Sequence, residues 1–386
     1  MNFARIRPLT HGPAFHWFGY YDKFQFDPTN RFVLGMKIHF ENRSPRPEDT
    51  LRIGMIDLHD HDRWIELDQT HAWCWQQGCM LQWRPGSSEI FWNDRQGNQF
   101  ISCLLDIESG KKRTLPGPVY TLSPDGKTGY FADFSRINAV RPGYGYPGIP
   151  DRFTHELAPE KSGIWRIDLE TEKIELIFSL ADAFRLPPEF PFWRESKHYF
   201  NHLLVNPDGT RLEFLHRWLQ PDGKTRRTRM LTCAPDGSEV RVIDASGLTS
   251  HFIWTDANHI IAWSGVAEPS GSFCRFDERD ASFQSFGREM LPEDGHINCL
   301  PQNPWAVNDH YPDANHLRTL YLYNLQTHRR SDIEKFFAPP VASDEWRCDL
   351  HPRLDRTGTQ VVIDSTHTRD GRQMYLLDIS DWVGND

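Results

Sequence analysis

Few of the features that make a sequence easy to classify are present in this chain. Its seven cysteines, Cys74, Cys79, Cys103, Cys233, Cys274, Cys299 and Cys348, are odd in number and scattered, with no Cys-x-x-Cys pair. That pattern argues against a disulfide scaffold and fits buried thiols in a reducing, cytoplasmic setting. There is no basic excess: 53 acidic residues face 43 Lys and Arg, a net charge of −10. A nucleic-acid partner is therefore not expected. An anionic small substrate stays open, because local Arg and His can dominate one cleft. The N-terminal MNFARIRPLTHGPAF lacks the apolar segment of a secretory signal. No window reaches the apolar length of a membrane helix, so no membrane partner is expected. The GxSxG, HExxH, Walker A and EF-hand patterns are missing, and His155-Glu156 lacks a second His. Helical periodicity is scarce, with short candidates only around Leu180–Phe184 and Asp332–Phe336.

What the chain does have is aromatic residues and a repeat. Hydrophobic residues are 38% of the sequence, yet aromatics are 13% and there are 14 Trp, a balance suited to many short strands. A strand, a Pro/Asp/Gly-type turn and an apolar strand recur seven times, at Phe24, Leu81, Tyr120, Leu203, Phe252, Ile297 and Pro352. Most copies are followed by an alternating strand that ends in Asp, then a short turn and a fourth strand. Seven four-stranded units predict an all-β fold, a seven-bladed β-propeller, as one domain over residues 1–386. The N-terminal ARIRPLT is predicted to complete the last blade. Two β-sandwiches are the rival arrangement, but no Pro/Gly/Ser-rich linker divides the chain. Two insertions, 140–161 and 183–200, are too long for tight turns and read as lids or binding loops.

Aligned on the turn, four histidines are equivalent. His202, His251, His296 and His351 each lie five residues before the turn positions Pro207, Asp256, Pro301 and Arg356. A propeller's innermost strands begin beside its axis, so these positions are predicted to converge on one cavity mouth. Packed imidazoles repel when charged, and metal ligation or proton transfer compensates for that. Asp349, two residues before His351, shares its strand face and makes a His/Asp divalent-cation site plausible, or else orients a ligand. The far ends of the second strands form a predicted rim: Asn93-Asp94-Arg95, Ser135-Arg136, His216-Arg217, Asp309-His310, and Asp364 with His367. Arg at such a rim suits bidentate grip on a carboxylate. Aromatics cluster at His16–Asp22 and Trp73–Gly78, where rings either stack on sugars or pack between blades.

These residues resemble the propeller-type polysaccharide lyases, oligogalacturonate lyases in particular. The likeness is most specific at Asn201-His202 with the following Pro207-Asp208-Gly209, at Ser250-His251-Phe252-Ile253-Trp254 and at His351-Pro352-Arg353. The resemblance implies that His202 is the catalytic base and that His251 and His351 bind a divalent cation. The family's other last-blade His and its Gln ligand fall here on Asp349 and about Trp346, so the site shifts to include His296 or takes a different cation, Mn, Ca or Zn. Gly19-Tyr20-Tyr21-Asp22 and Arg141-Pro142-Gly143-Tyr144-Gly145-Tyr146 look more like ulvan-lyase-type propellers, which use a Tyr as acid/base with Arg and His neutralising the carboxylate. The implied reaction is β-elimination on a uronate-containing oligosaccharide. Its catalytic candidates are His202, Tyr146 and Arg217; its substrate contacts are Arg141, Tyr144, Arg95, Gln77 and His216; its metal ligands are His251, His296, Asp349 and His351. Oligomeric state is not legible. Two other readings stay open: a non-catalytic propeller that binds a glycan or protein, and a hydrolytic glycosidase, for which no carboxylate pair is marked.

Overall fold

Period-two strands with apolar inner faces need partners on both sides, and the chain supplies them in register. The computed structural model describes residues 5–368 and 370–383. It contains seven four-stranded antiparallel sheets in succession, an all-β seven-bladed β-propeller. The chain divides into two compact units: Met1–Arg95, Leu104–Lys112 and Gly295–Asp386 in one, Gln96–Cys103 and Arg113–Asp294 in the other. Residues of the second blade belong to both.

The first unit holds the first, sixth and seventh blades. The seventh comprises Arg353–Leu354, Gln360–Ser365 and Gln373–Asp378, and its outer strand is Arg5–Pro8. The pairing runs from Arg5 with Asp378 to Pro8 with Tyr375. The N-terminal strand thus completes the last blade as the sequence predicted. Leu320 and Leu322 of the sixth blade share one apolar cluster with Val361 and Ile363 of the seventh. The second unit holds the third, fourth and fifth blades, where Leu215 and Met230 join Phe252 and Ile260 in a similar cluster.

The repeat's turn chemistry explains its sequence signature. Gly126 and Gly209 of the Pro-Asp-Gly turns take φ of +68° and +78°, a region costly for other residues. Where a third strand ends in Asp, that residue caps the next turn. Asp106 accepts from the amides of Glu108 and Ser109, and Asp168 from those of Glu170 and Thr171.

Two expectations are corrected and one is borne out. Asp332–Phe336 is not helical but lies within the outer strand Arg330–Phe337. Its buried Ile333 and Phe336 stand three apart because the strand bulges opposite Leu320 and Tyr321, which mimics a helical spacing. The candidate at Leu180–Phe184 does form a helix, Leu180–Arg185, with a Ser179/Asp182 capping box. Ser135-Arg136 is not a rim. It lies in a helix, Phe134–Val140, that the sequence reading missed, capped by Asp133.

Arg136 is fully buried and ties down the 140–161 insertion. Its guanidinium donates to the carbonyls of His198, Phe153, Glu156 and Leu157 and pairs with Asp151 at 3.1 Å. Replacing it with Met should remove a donor from four carbonyls and leave the buried Asp151 carboxylate with Lys197, at 3.3 Å, as its remaining cation. A loss of about 2–4 kcal/mol in urea unfolding is expected; a loss below about 1 kcal/mol would mean that the insertion holds itself. The 183–200 insertion is tied in the same way, with Arg229 donating to the carbonyls of Ala183, Leu186 and Pro187.

Candidate functional site

The histidine positions owe their direction to irregular backbone. His202 is the bulged residue between Asn201 and Leu203, with φ of +51°, and His351 has φ of +44°. The fifth-blade ladder loses register between Thr249 and Phe252, around His251. A bulge turns a side chain off the sheet face, and non-glycine residues rarely hold a left-handed φ without structural support.

In the first unit, His296 and His351 come together, their rings 4.2 Å apart and edge to face. His296 precedes the sixth blade's inner strand, Asn298–Cys299, and Asp309 follows its second strand, Trp305–Asn308. Asp309 Oδ1 lies 2.8 Å from both the His296 amide and its Nδ1. A carboxylate only accepts, so Nδ1 carries a proton, and in the neutral ring Nε2 keeps the lone pair that a cation would take. Burial alone would raise the Asp309 carboxyl, but His296 beside it holds it below the ordinary range.

Asp349 completes the cluster. Burial would push its carboxyl up, but the guanidiniums of Arg347 and Arg318 hold it well below the usual range. Arg347 reaches it through Nε at 2.8 Å and Nη2 at 2.9 Å, and Arg318 through Nη2 at 3.2 Å. His296, Asp349 and His351 are all buried, and their ligand atoms lie within 4.8 Å of one another. Two imidazoles and a carboxylate, with one imidazole oriented by a second carboxylate, fit a divalent transition cation, and the group could hold one.

Two phenols lie against this cluster. Tyr20 stands edge-on to His351 at 5.4 Å, and Tyr21 lies 5.4 Å from His296. Asp364 fixes the segment by accepting from the Phe18 and Gly19 amides, and it is itself paired with Arg353 at 2.7 Å. Asn298 donates to the Tyr21 carbonyl. The rim residue Asp364 is thus a positioning group for the tyrosines.

The second unit holds the remaining catalytic candidates. His202 is buried, its amide donates to the Tyr120 hydroxyl, and its ring stacks on Phe252 at 3.9 Å. The phenol at His202 is therefore Tyr120. Tyr146, expected as an accessible loop acid/base, is fully buried and stacked on Phe134 at 4.2 Å, because the insertion folds inward around Arg136. His251 faces Asp294, with Nδ1 3.0 Å from its carboxylate, and is not among the clustered first-unit ligands.

His216 is also corrected, from a substrate contact at the rim to a buried side chain among Trp193, Trp218 and Phe200. Arg217 is half-buried. Arg141 lies over the Tyr144 ring at 3.8 Å. In the first unit, Arg95 donates to the Pro47 carbonyl and Gln77 is buried.

The sequence reading missed the partnership of Asp309 with His296 and missed Arg347 and Arg318 altogether. One signal was available: Arg347, Asp349 and His351 alternate, so an extended chain places them on one face.

No family model matches the chain, and no curated protein is detectably related. Solved structures do match. Oligogalacturonate lyase from Vibrio parahaemolyticus is similar at 14% identity with a TM-score of 0.66, over 97% of this chain and 93% of that one. The β-propeller domain of the trilobed protease from Pyrococcus furiosus is similar at 11% identity and a TM-score of 0.54, over 94% and 96% of the two chains. Tricorn protease matches at 10% identity and a TM-score of 0.56, over 96% of this chain and 35% of that one. At these identities the likeness is one of fold: the chain shares a propeller architecture with a lyase and with peptidase domains.

Proposed function

We propose that this chain is a carbon–oxygen lyase that cleaves a uronate-containing oligosaccharide by β-elimination. The observation that carries the reading is the buried cluster of His296, Asp309, Asp349 and His351 beneath Tyr20 and Tyr21. It gathers cation-ligating, proton-transferring and cationic groups in one place. Resemblance to the propeller lyases agrees with it.

In the reaction, a base takes the proton on the carbon next to the carboxylate. The released electron pair forms the ring double bond, the neighbouring carbon–oxygen bond breaks, and the leaving oxygen keeps the electrons of that broken bond and gains a proton. Negative charge builds on the carboxylate and must be neutralised. The proposed base is a phenol of the same unit as the cluster, Tyr20, which stands against His351. A divalent cation held by His296, Asp349 and His351 would supply Lewis-acid stabilisation of that charge. Asp309 fixes the tautomer of His296, and Asp364 holds the two tyrosines in place.

The test is ultraviolet absorbance of the conjugated product after incubation with pectic, ulvan and rhamnose-glucuronate oligosaccharides. Absorbance should grow with at least one, and Tyr20→Phe should slow it by at least about a hundredfold. No absorbance with any of the three would leave a non-catalytic binding propeller as the better reading.

A further inference from the structure

Arg318 and Arg347 serve two places at once. One is Asp349. The other is a cavity of about 410 Å³ in the first unit, which both residues line together with Arg372 and Glu41. Phe337, Pro339 and Trp346 give it an apolar wall. That volume falls within the range of small-molecule sites. Three guanidiniums and one carboxylate line it, in a chain whose net charge is −10. Arg372 is committed to Glu41, at 3.1 Å. Arg318 and Arg347 share the buried Asp349, and Arg347 also meets the exposed Asp344 at 3.1 Å.

The cavity is built rather than incidental. Gln76 donates to the carbonyls of Asp344, Glu345 and Arg347, and Arg372 donates to that of Trp346, which fixes the wall. Two buried donors among the lining residues have no hydrogen-bond partner: Nε of Arg318, a residue only 3% exposed, and Nε1 of Trp346. Unsatisfied buried donors are uncommon, and here both belong to residues that line one cationic cavity.

We propose that this cavity binds the carboxylate-bearing ring of a uronic acid, and that its occupancy promotes cation binding at His296, Asp349 and His351. The carboxylate takes the guanidiniums of Arg318 and Arg347, and the ring lies against Trp346. With an anion to pair with, Arg347 gives up part of its hold on Asp349, whose oxygens become available to the cation. By linkage the coupling is reciprocal: each ligand tightens the other. This deepens the lyase reading and rests on it for the identity of the ligand.

The test is calorimetric titration of the full chain, with D-glucuronate as the anion, D-glucose as the neutral control, inorganic sulfate to separate charge from ring recognition, and Mn²⁺ as the cation. Glucuronate should bind and glucose should not, and saturating glucuronate should tighten Mn²⁺ at least about fivefold. Arg347→Gln should weaken glucuronate about tenfold or more and tighten Mn²⁺ in its absence, since a competitor for Asp349 is gone. Trp346→Leu, which leaves the buried ion pairs intact, should weaken glucuronate but leave Mn²⁺ alone unchanged. Equal tightening of Mn²⁺ by sulfate would overturn the uronate assignment. Glucuronate binding that ignores both substitutions, or Mn²⁺ affinity that ignores glucuronate, would overturn the proposal even if elimination is observed. Coupled binding without turnover would keep the site and refute the lyase reading.

Discussion

Replacing His296 with alanine is expected to abolish tight Mn²⁺ binding and to destabilise the protein at the same time. The two effects have separate causes. Loss of Nε2 removes one of three clustered donors, and a two-ligand remnant should bind at least about a hundredfold more weakly. Loss of Nδ1 strips the buried Asp309 carboxylate of its partner, leaving it only the His296 amide. An uncompensated buried charge costs about 3–5 kcal/mol. Asp309→Asn divides the two causes. It keeps the volume and removes the charge, so cation affinity should fall only about 10- to 100-fold, through a misoriented His296. The double variant should recover much of the stability lost by His296→Ala and none of the affinity. Titration of Mn²⁺ with parallel urea melts reads both. If His296→Ala binds Mn²⁺ within twofold of the unsubstituted protein, the cluster is not the cation site.

The sequence disclosed what is written locally. Blade turns are legible because Asp, Gly and Pro each solve a backbone problem within a few residues, and seven copies in order leave little freedom. The histidine positions are legible for a related reason: each sits at a fixed offset from its turn. His202 and His351 hold left-handed φ there, and the ladder around His251 loses register. What such spacing cannot state is the partner of each residue. Arg136 and His216 were read as rim groups because surface and interior are indistinguishable at a strand's end. They prove to be buried where the two insertions fold inward, a long-range event. Tyr146 failed for the same reason: a loop rich in Gly and Pro suggested exposure, while Phe134, on an unexpected helix, takes its ring. Ile333 and Phe336 misled through a bulge, which shifts a period of two to three. Asp309 was noticed but not paired with His296, since thirteen residues and a turn separate them.

Acidification is expected to unfold this protein from its interior histidines, not from its surface carboxylates alone. In the second unit, Nε2 of His198 donates to the Trp193 carbonyl at 2.9 Å, so its Nδ1 accepts from Nε2 of His216 at 3.0 Å. Nδ1 of His216 in turn accepts from Nε of Arg229 at 3.2 Å. Every ring nitrogen in the chain is used with both imidazoles neutral, and a further proton has no acceptor. Burial lowers His198 from 6.5 to about 4, with Arg229 and Arg136 adding to the effect against the Trp193 hydrogen bond. Burial also holds His216 well below its usual value, with His198 and Arg229 as like charges. In the first unit, burial lowers His16 to about 4. For these groups the unfolded chain takes up protons first. Their contribution is therefore full above pH 6.5 and is lost as pH falls toward 4. A shift of that size corresponds to about 3 kcal/mol for each of His198 and His16, with His216 acting in the same direction, so together they can remove a large part of a typical folding free energy. The double variant His198→Gln/His216→Gln keeps donors and acceptors but cannot titrate. It should be less stable at neutral pH, yet its urea midpoint should fall much less steeply between pH 6.5 and 4. The slope is the informative quantity, because packing losses shift the level without tilting it. An acid limb as steep as that of the unsubstituted protein would mean that these imidazoles titrate in the folded chain as freely as in the unfolded one.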